Sequence, residues 1–273
     1  MTENQGTADE VLLEGDGWTE VYRIRDTVHR PARPQTATIH AFLSHLRDRG
    51  FTGAPIPHGY DPKGREVLSY VEGDVPMEPL PDWAVGDEQL AALARLIRRA
   101  HDAAEGWIPP TDAVFGTIPG SPHPAIEPLF EKPELVAHQD YCPGNVVFRD
   151  SMPVALIDFD LAKPTTRVAD VVNALYWWAP LCHPQDRGPA LSDVDVPRRV
   201  RIFADAYGMD DVQRSQIVDL ALRRQRNSET IMKAAADSDP VFRRWWDEGM
   251  KDKLPRADRW LNAIAGSLRD ALR

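Results

Sequence analysis

Two cysteines in 273 residues, Cys142 and Cys182, are too few for a disulfide framework and form no Cys-x-x-Cys pair. Their scarcity points to a reducing cytoplasm. Long apolar runs are also missing: the most apolar stretch, residues 168–181, is interrupted by Asp170 and Asn173 and is too short to cross a bilayer. The start, MTENQGTADE, has neither the basic residues nor the apolar centre of a secretion signal. Positive charge is in deficit, with 32 Lys and Arg against 42 Asp and Glu for a net charge of −10. That balance disfavours nucleic acid and anionic membrane surfaces as partners and mildly favours cationic small molecules. No Gly-x-x-x-x-Gly-Lys-Ser/Thr run occurs, so a P-loop is excluded as a source of nucleotide binding. Internal repeats and low-complexity segments are absent as well. What remains is an ordinary globular chain, 42% hydrophobic and long enough for one large domain or two lobes.

Patterning divides the chain in two. Residues 11–13, 20–24 and 27–30 read as strands, as do 55–60 and 65–71, with turn residues Asp61-Pro62-Lys63-Gly64 between the last two. Between them Ile39, Phe42, Leu43 and Leu46 recur at helical spacing over 36–49, stopped by Gly50. Five strands and one helix form a small lobe. Glu72-Gly73-Asp74-Val75-Pro76, with Pro79 and Pro81, then breaks any regular pattern. The boundary falls there, giving domains 1–73 and 74–273. Leu90, Leu93, Ala94, Ile97 and His101 make the apolar stripe of a further helix, leaving Arg95, Arg98 and Arg99 as a solvated face. Helical patterns continue over 168–178, 196–207, 210–237, 240–250 and 255–272.

The chemistry is concentrated in His138-Gln139-Asp140-Tyr141-Cys142-Pro143-Gly144-Asn145 and in Ile157-Asp158-Phe159-Asp160. Residues 146–149 and 154–157 read as two strands around the turn 150–153. In that register Val146 faces Ile157, and Asn145 faces Asp158 at the open end. Directly opposed residues have Cβ atoms about 5 Å apart, so one cation can bind both. Magnesium takes oxygen ligands and few carboxylates, which suits one amide and one carboxylate. Asp140, one loop away, is placed to orient a hydroxyl. These are groups that phosphoryl transfer needs. Cys142 lacks the partners of a nucleophile and is read as packing.

This stretch resembles the aminoglycoside phosphotransferase and choline-kinase-like branch of the protein-kinase-like superfamily, with HQDYCPGN as catalytic loop and IDFD as metal-binding segment. The resemblance implies an α+β, two-lobed kinase-like fold: an antiparallel-sheet N-lobe that binds nucleotide and a mainly helical C-lobe for catalysis and substrate. It implies Asp140 as catalytic base, Asn145 and Asp158 as Mg2+ ligands, and His138 as a brace for the loop. Donor and acceptor are ATP or GTP and a small-molecule hydroxyl, by default on an aminoglycoside, alternatively on an amino alcohol, sugar or macrolide. A nucleotide-binding module without turnover is the rival from another class. Adenine is expected on main-chain groups from Tyr70 to Glu72, and the phosphates under a tight turn at Gly15 and Gly17.

The chain departs from the family at the third strand, where the expected lysine position reads Arg30. The helix that normally supplies a glutamate offers His40, and no acidic residue occurs between Pro31 and Arg47. The Lys-Glu pair is therefore expected to be absent, with Arg33 and His40 equally readable as surface residues. Asp160 either serves the metal through water or satisfies local backbone donors. Asp170 reads as a first-turn acid that braces the catalytic loop. Acidic candidates for the acceptor are Asp247 and Glu248, which follow Trp245-Trp246; those tryptophans either wall a pocket or fill a helix contact. Arg223, Arg224 and Arg226 fit poorly with a polycation pocket: they face solvent, or they face the cleft and the acceptor is neutral or anionic.

Overall fold

The computed structural model describes residues 10–13 and 20–273. Gly15 and Gly17 lie outside the described residues. The first half builds β1 (Val11–Leu12), β2 (Tyr22–Ile24), β3 (Thr27–Pro31), α1 (Thr36–Asp48), β4 (Pro57–Tyr60) and β5 (Arg65–Ser69). The strands form one antiparallel sheet in the order β1-β2-β3-β5-β4. Placing β5 between β3 and β4 sets Arg30 directly opposite Glu66. The predicted stripe of α1 is its buried face, with Ile39, Phe42, Leu43 and Leu46 almost fully withdrawn from water.

The remainder is α2 (Asp87–Ala104), β6 (Leu135–Ala137), β7 (Val146–Arg149), β8 (Met152–Leu156), β9 (Lys163–Thr165), α3 (Arg167–Trp178), α4 (Val196–Tyr207), α5 (Asp211–Ser238), α6 (Pro240–Trp245) and α7 (Lys251–Ala271). Side-chain caps start several of these helices: Thr166 for α3, Asp195 for α4, Asp239 for α6, and a reciprocal Asp210–Gln213 box for α5. The helix expected over 240–250 stops at Trp245, because a wider turn follows in which Gly249 takes a φ of 127°. Two three-residue strands, β6 and β9, pair antiparallel and frame the catalytic loop. A single hydrophobic cluster runs from Ile39 to Leu272, so the helix that crosses the sheet and the helical bundle share a core. Among the described residues no helix is long and apolar enough to cross a membrane.

The join at 72–76 is tied down. Asp74 and Phe148 exchange both backbone hydrogen bonds, each 2.8 Å, so the chain leaving the sheet adds itself to β7. Gly73 makes this approach possible: its φ is 146°, and a Cβ there would lie 2.3 Å from the Phe148 carbonyl oxygen.

Candidate active site

The catalytic loop leaves β6 at His138 and enters β7 at Val146 through a short 3-10 turn, Pro143–Asn145. β7 and β8 form the expected hairpin, but its register differs. Val146 faces Leu156 and Val147 faces Ala155, which places Asn145 opposite Ile157, whose N–H donates to the Asn145 carbonyl at 2.9 Å. The turn is the two residues Asp150 and Ser151, both with positive φ, rather than four. Val154 is then the extra residue of a bulge between the Val147 and Phe148 pairings. Phe148 faces Pro153, which has no N–H, and directs its own backbone groups to Asp74 instead. Asp158 consequently lies two residues beyond the end of β8 and takes a left-handed φ of 57°.

Asn145 Nδ2 donates to the Asp140 carboxylate at 3.0 Å and to the Asp140 carbonyl at 3.2 Å. Its amide oxygen is thereby directed away from Asp140. Asp140 is held above the usual carboxylate range, first by burial and further by the charge of Asp158, against the pull of His138 and the Cys142 N–H. His138 bridges the two motifs: its Nε2 lies 2.9 Å from the Ile157 carbonyl and its Nδ1 accepts from the Asp140 N–H at 3.3 Å. Its ring also packs on Phe159 and Tyr141, with centroids 4.3 and 5.1 Å away. Phe159 in turn meets Phe42 of α1. Burial and the neighbouring Asp140 push the Cys142 thiol up, which keeps it protonated and inert.

Asp170 is fully buried and braces the loop directly. One carboxylate oxygen accepts from the Gln139 backbone N–H (2.9 Å) and from its side-chain amide Nε2 (2.5 Å). The other meets the Tyr141 hydroxyl (2.5 Å) and His101 Nε2 (2.7 Å). Burial raises the Asp170 carboxyl, yet the bonds from His101, Tyr141 and Gln139 leave it below its ordinary value. Asn173, one turn later, holds the Gln139 carbonyl at 2.9 Å and the Tyr141 N–H at 3.2 Å, and Trp178 Nε1 donates to the Tyr141 carbonyl at 2.8 Å. Gln139 keeps its left-handed φ of 64° under these restraints.

Arg30 is not left without an acid, although α1 supplies none. Arg30 Nε lies 2.5 Å from Glu66 Oε2, and His40 Nε2 lies 2.9 Å from the other oxygen of Glu66. The acid comes from β5, directly across the ladder, rather than from α1. His40 and Arg33 are accordingly not free surface residues: Arg33 reaches Asp160 at 3.4 Å. Arg30 also binds Asp158 (3.1 Å) and Asp160 (2.6 Å). Burial disfavours the Arg30 charge, but Asp158, Asp160 and Glu66 together more than offset it. Arg30 likewise holds Asp158 below its ordinary value against the effect of burial, although 46% of that side chain is open to solvent. Asp160 therefore serves Arg30 and Arg33, not local backbone donors.

At the expected adenine segment, the Tyr70 N–H donates to Asp26 and the Glu72 carbonyl accepts from Arg149. Arg23 stacks on the Tyr70 ring at 3.6 Å and pairs with Glu72 at 2.6 Å. Among the described residues the N–H and carbonyl of Val71 make no hydrogen bond, so the main-chain edge expected of the whole segment narrows to its middle residue. Asp247 and Glu248 are exposed in the turn after α6, and no contact among the described residues links them to Asp140. Trp245 packs edge-on against Phe242 at 4.9 Å, which favours the helix-contact reading. Reasoning from sequence missed Glu66, His101, Tyr141 and Asn173. An acid inside the apolar run of β5, and a histidine inside the apolar stripe of α2, were the available signals.

The model of a family described as "Phosphotransferase enzyme family" matches residues 118–216, the span that holds both motifs. The Trifolitoxin immunity protein of Rhizobium leguminosarum bv. trifolii is 30% identical over 250 residues, covering 87% of this chain and 92% of the relative. The chain belongs to the phosphotransferase enzyme family. This is the aminoglycoside phosphotransferase and choline-kinase-like family that the catalytic loop resembles, and its members are small-molecule phosphotransferases. Two solved structures share the fold. A choline/ethanolamine kinase family protein from Mesorhizobium loti superposes with a TM-score of 0.63 at 14% identity, covering 99% of this phosphotransferase and 94% of that chain. Amicoumacin kinase hAmiN, solved in complex with AMP-PNP, Ca2+ and Ami, gives 0.62 at 12% identity over 96% and 88%.

Proposed function

We propose that this phosphotransferase moves the γ-phosphoryl group of ATP or GTP to a hydroxyl of a small molecule, with residues 1–73 binding nucleotide and 74–273 supplying catalysis and acceptor. The observation that carries this is the convergence of Asp140 and Asn145, 3.0 Å apart, at the hairpin mouth that Asp158 follows. Asp140, as the carboxylate, orients the acceptor hydroxyl and receives its proton. The acceptor oxygen then forms a bond to the γ-phosphorus as the bond to the bridging oxygen breaks, and the nucleoside diphosphate leaves. No covalent enzyme intermediate is needed.

The donor set fits magnesium: the amide oxygen of Asn145, turned from Asp140 by the two bonds of its Nδ2, and the half-exposed carboxylate of Asp158 are hard oxygen ligands. Those two residues would hold the ion, which neutralises phosphate charge when bound. Arg30 is the phosphate-facing cation, oriented by Glu66, and its planar fork suits paired oxygens. A module that only binds nucleotide has no use for Asp140, and Glu66 removes the reason to suspect one.

The likeness to an immunity protein and to an antibiotic kinase favours an antibiotic acceptor, for which aminoglycosides are the family reference. The test is Asp140→Asn in an ADP-release assay across antibiotics, amino alcohols and sugars. Turnover falls by about 10² or more while nucleotide affinity stays nearly constant. Full turnover in that variant refutes the assignment.

A further inference from the structure

Arg223, Arg224 and Arg226 of α5 do different things. Arg223 and Arg226 both pair with Glu127, at 3.0 and 3.4 Å, and Asn227 exchanges two bonds with the Glu127 backbone. Successive helical residues point about 100° apart, so 223, 226 and 227 share one side of α5 and Arg224 leaves it. The first three pin the segment before β6 onto the helix. Arg224 instead lies over the ring of Tyr176 at 4.7 Å. Among the described residues its guanidinium makes no hydrogen bond and no ion pair.

Tyr176 is three residues beyond Asn173, so both lie on one face of α3, and Asn173 holds the backbone on either side of Asp140. Arg224 is accordingly next to the catalytic loop, where it and Asp140 feel each other's charge. A second cation approaches from the other strand pair. Lys163 sits opposite Ala137, the residue before His138, and Arg224 and Lys163 repel one another. The ammonium of Lys163 likewise has no hydrogen bond or ion pair among the described residues; Asp170, the acid whose charge acts on it, already accepts four bonds. Burial disfavours the charge on both groups. Two like charges, both half-buried and neither paired with a carboxylate, are costly to hold side by side unless a ligand supplies the anion.

We propose that Arg224 and Lys163 form an oxyanion subsite beside Asp140, so that the acceptor is a hydroxyl compound carrying a carboxylate or phosphate rather than a polyamine. This rests on the phosphotransferase reading above and narrows its acceptor. Tyr176 orients the guanidinium, and the anion would hold the acceptor so that its hydroxyl meets Asp140. The aminoglycoside reference acceptor is the class this arrangement repels.

The test uses one sugar scaffold in four charge states: D-glucuronate, D-glucose 6-phosphate, D-glucose and D-glucosamine. Each is titrated calorimetrically into the whole protein with magnesium and a non-hydrolysable ATP analogue. At least one of the two anions binds about tenfold or more tighter than glucose or glucosamine, and the tighter of them identifies the oxyanion. Arg224→Gln removes that preference, Arg224→Lys keeps most of it, and Lys163→Met weakens it, with nucleotide affinity and unfolding temperature reported for each. Tightest binding of glucosamine, a flat response across the four, or an anion preference that survives Arg224→Gln overturns the subsite. Failure of every acceptor in the ADP-release assay would refute the phosphotransferase reading instead, while this binding pattern would still decide the subsite.

Discussion

At the scale of single residues, the site depends on where the counterion of Arg30 comes from. With only the helix in view, Arg30 stands without a carboxylate, and a lysine in its place would have nothing to position it. Glu66 changes that expectation, since an ammonium at position 30 would also face a buried acid across the ladder. Arg30→Ala weakens nucleotide binding by about 1.5 to 3 kcal/mol, the range for charge-assisted hydrogen bonds. Arg30→Lys keeps most of the affinity in the presence of Glu66 and loses it when Glu66→Gln is added, with a coupling of about 1 kcal/mol or more. Calorimetric affinities of the single and double variants check this; strictly additive losses would show that Glu66 does not act through Arg30. Glu66 was not legible because β3 and β5 are not joined by a turn, so no loop length fixes their register. The meeting of Asp140 and Asn145 was legible because their spacing is local.

At the scale of elements, helices were legible wherever an apolar stripe was long, as in α1 and α2. Three-residue strands such as β6 and β9 carry no pattern to read, and their pairing depends on chain ends 26 or more residues apart. The catalytic hairpin was found but mis-registered, because Pro153 suggested a wide turn when the chain instead forms a two-residue turn and absorbs the offset in a bulge at Val154. The added strand contact at Asp74 makes Gly73 a sensitive position. Gly73→Ala brings a Cβ to 2.3 Å from the Phe148 carbonyl and 2.6 Å from Val147 Cγ1. It costs about 1 to 3 kcal/mol in chemical unfolding and lowers turnover by displacing β7. Gly64→Ala, also at positive φ but with open space around it, provides the control for backbone strain alone. Equal losses in the two variants would remove the packing explanation.

At the scale of the whole molecule, the buried Asp170 joins α2, α3 and the catalytic loop, and its carboxyl is held below the ordinary value. A carboxylate of lowered folded pKa adds stability that is complete above its unfolded value, about 4, and is lost as pH falls through the folded value. Asp170→Asn therefore lowers the unfolding midpoint at neutral pH, and the gap to the parent protein closes progressively below about pH 4. A gap that stays constant with pH would show that the charge of Asp170 is not what braces the loop. The division into a strand-rich and a helix-rich part was legible because each has its own periodicity, and its kinase-like character followed from the resemblance of the catalytic loop, whereas the shared core was not legible, since nothing local specifies it. One consequence belongs to this scale. In protein kinases the acid that pairs with the phosphate-site cation rides on a helix, and moving that helix switches the enzyme on and off. Here cation and acid sit on hydrogen-bonded neighbouring strands, so no rigid displacement of α1 can separate them. A switch of the protein-kinase type, thrown by moving that helix, therefore has nothing to act on at Arg30 and Glu66.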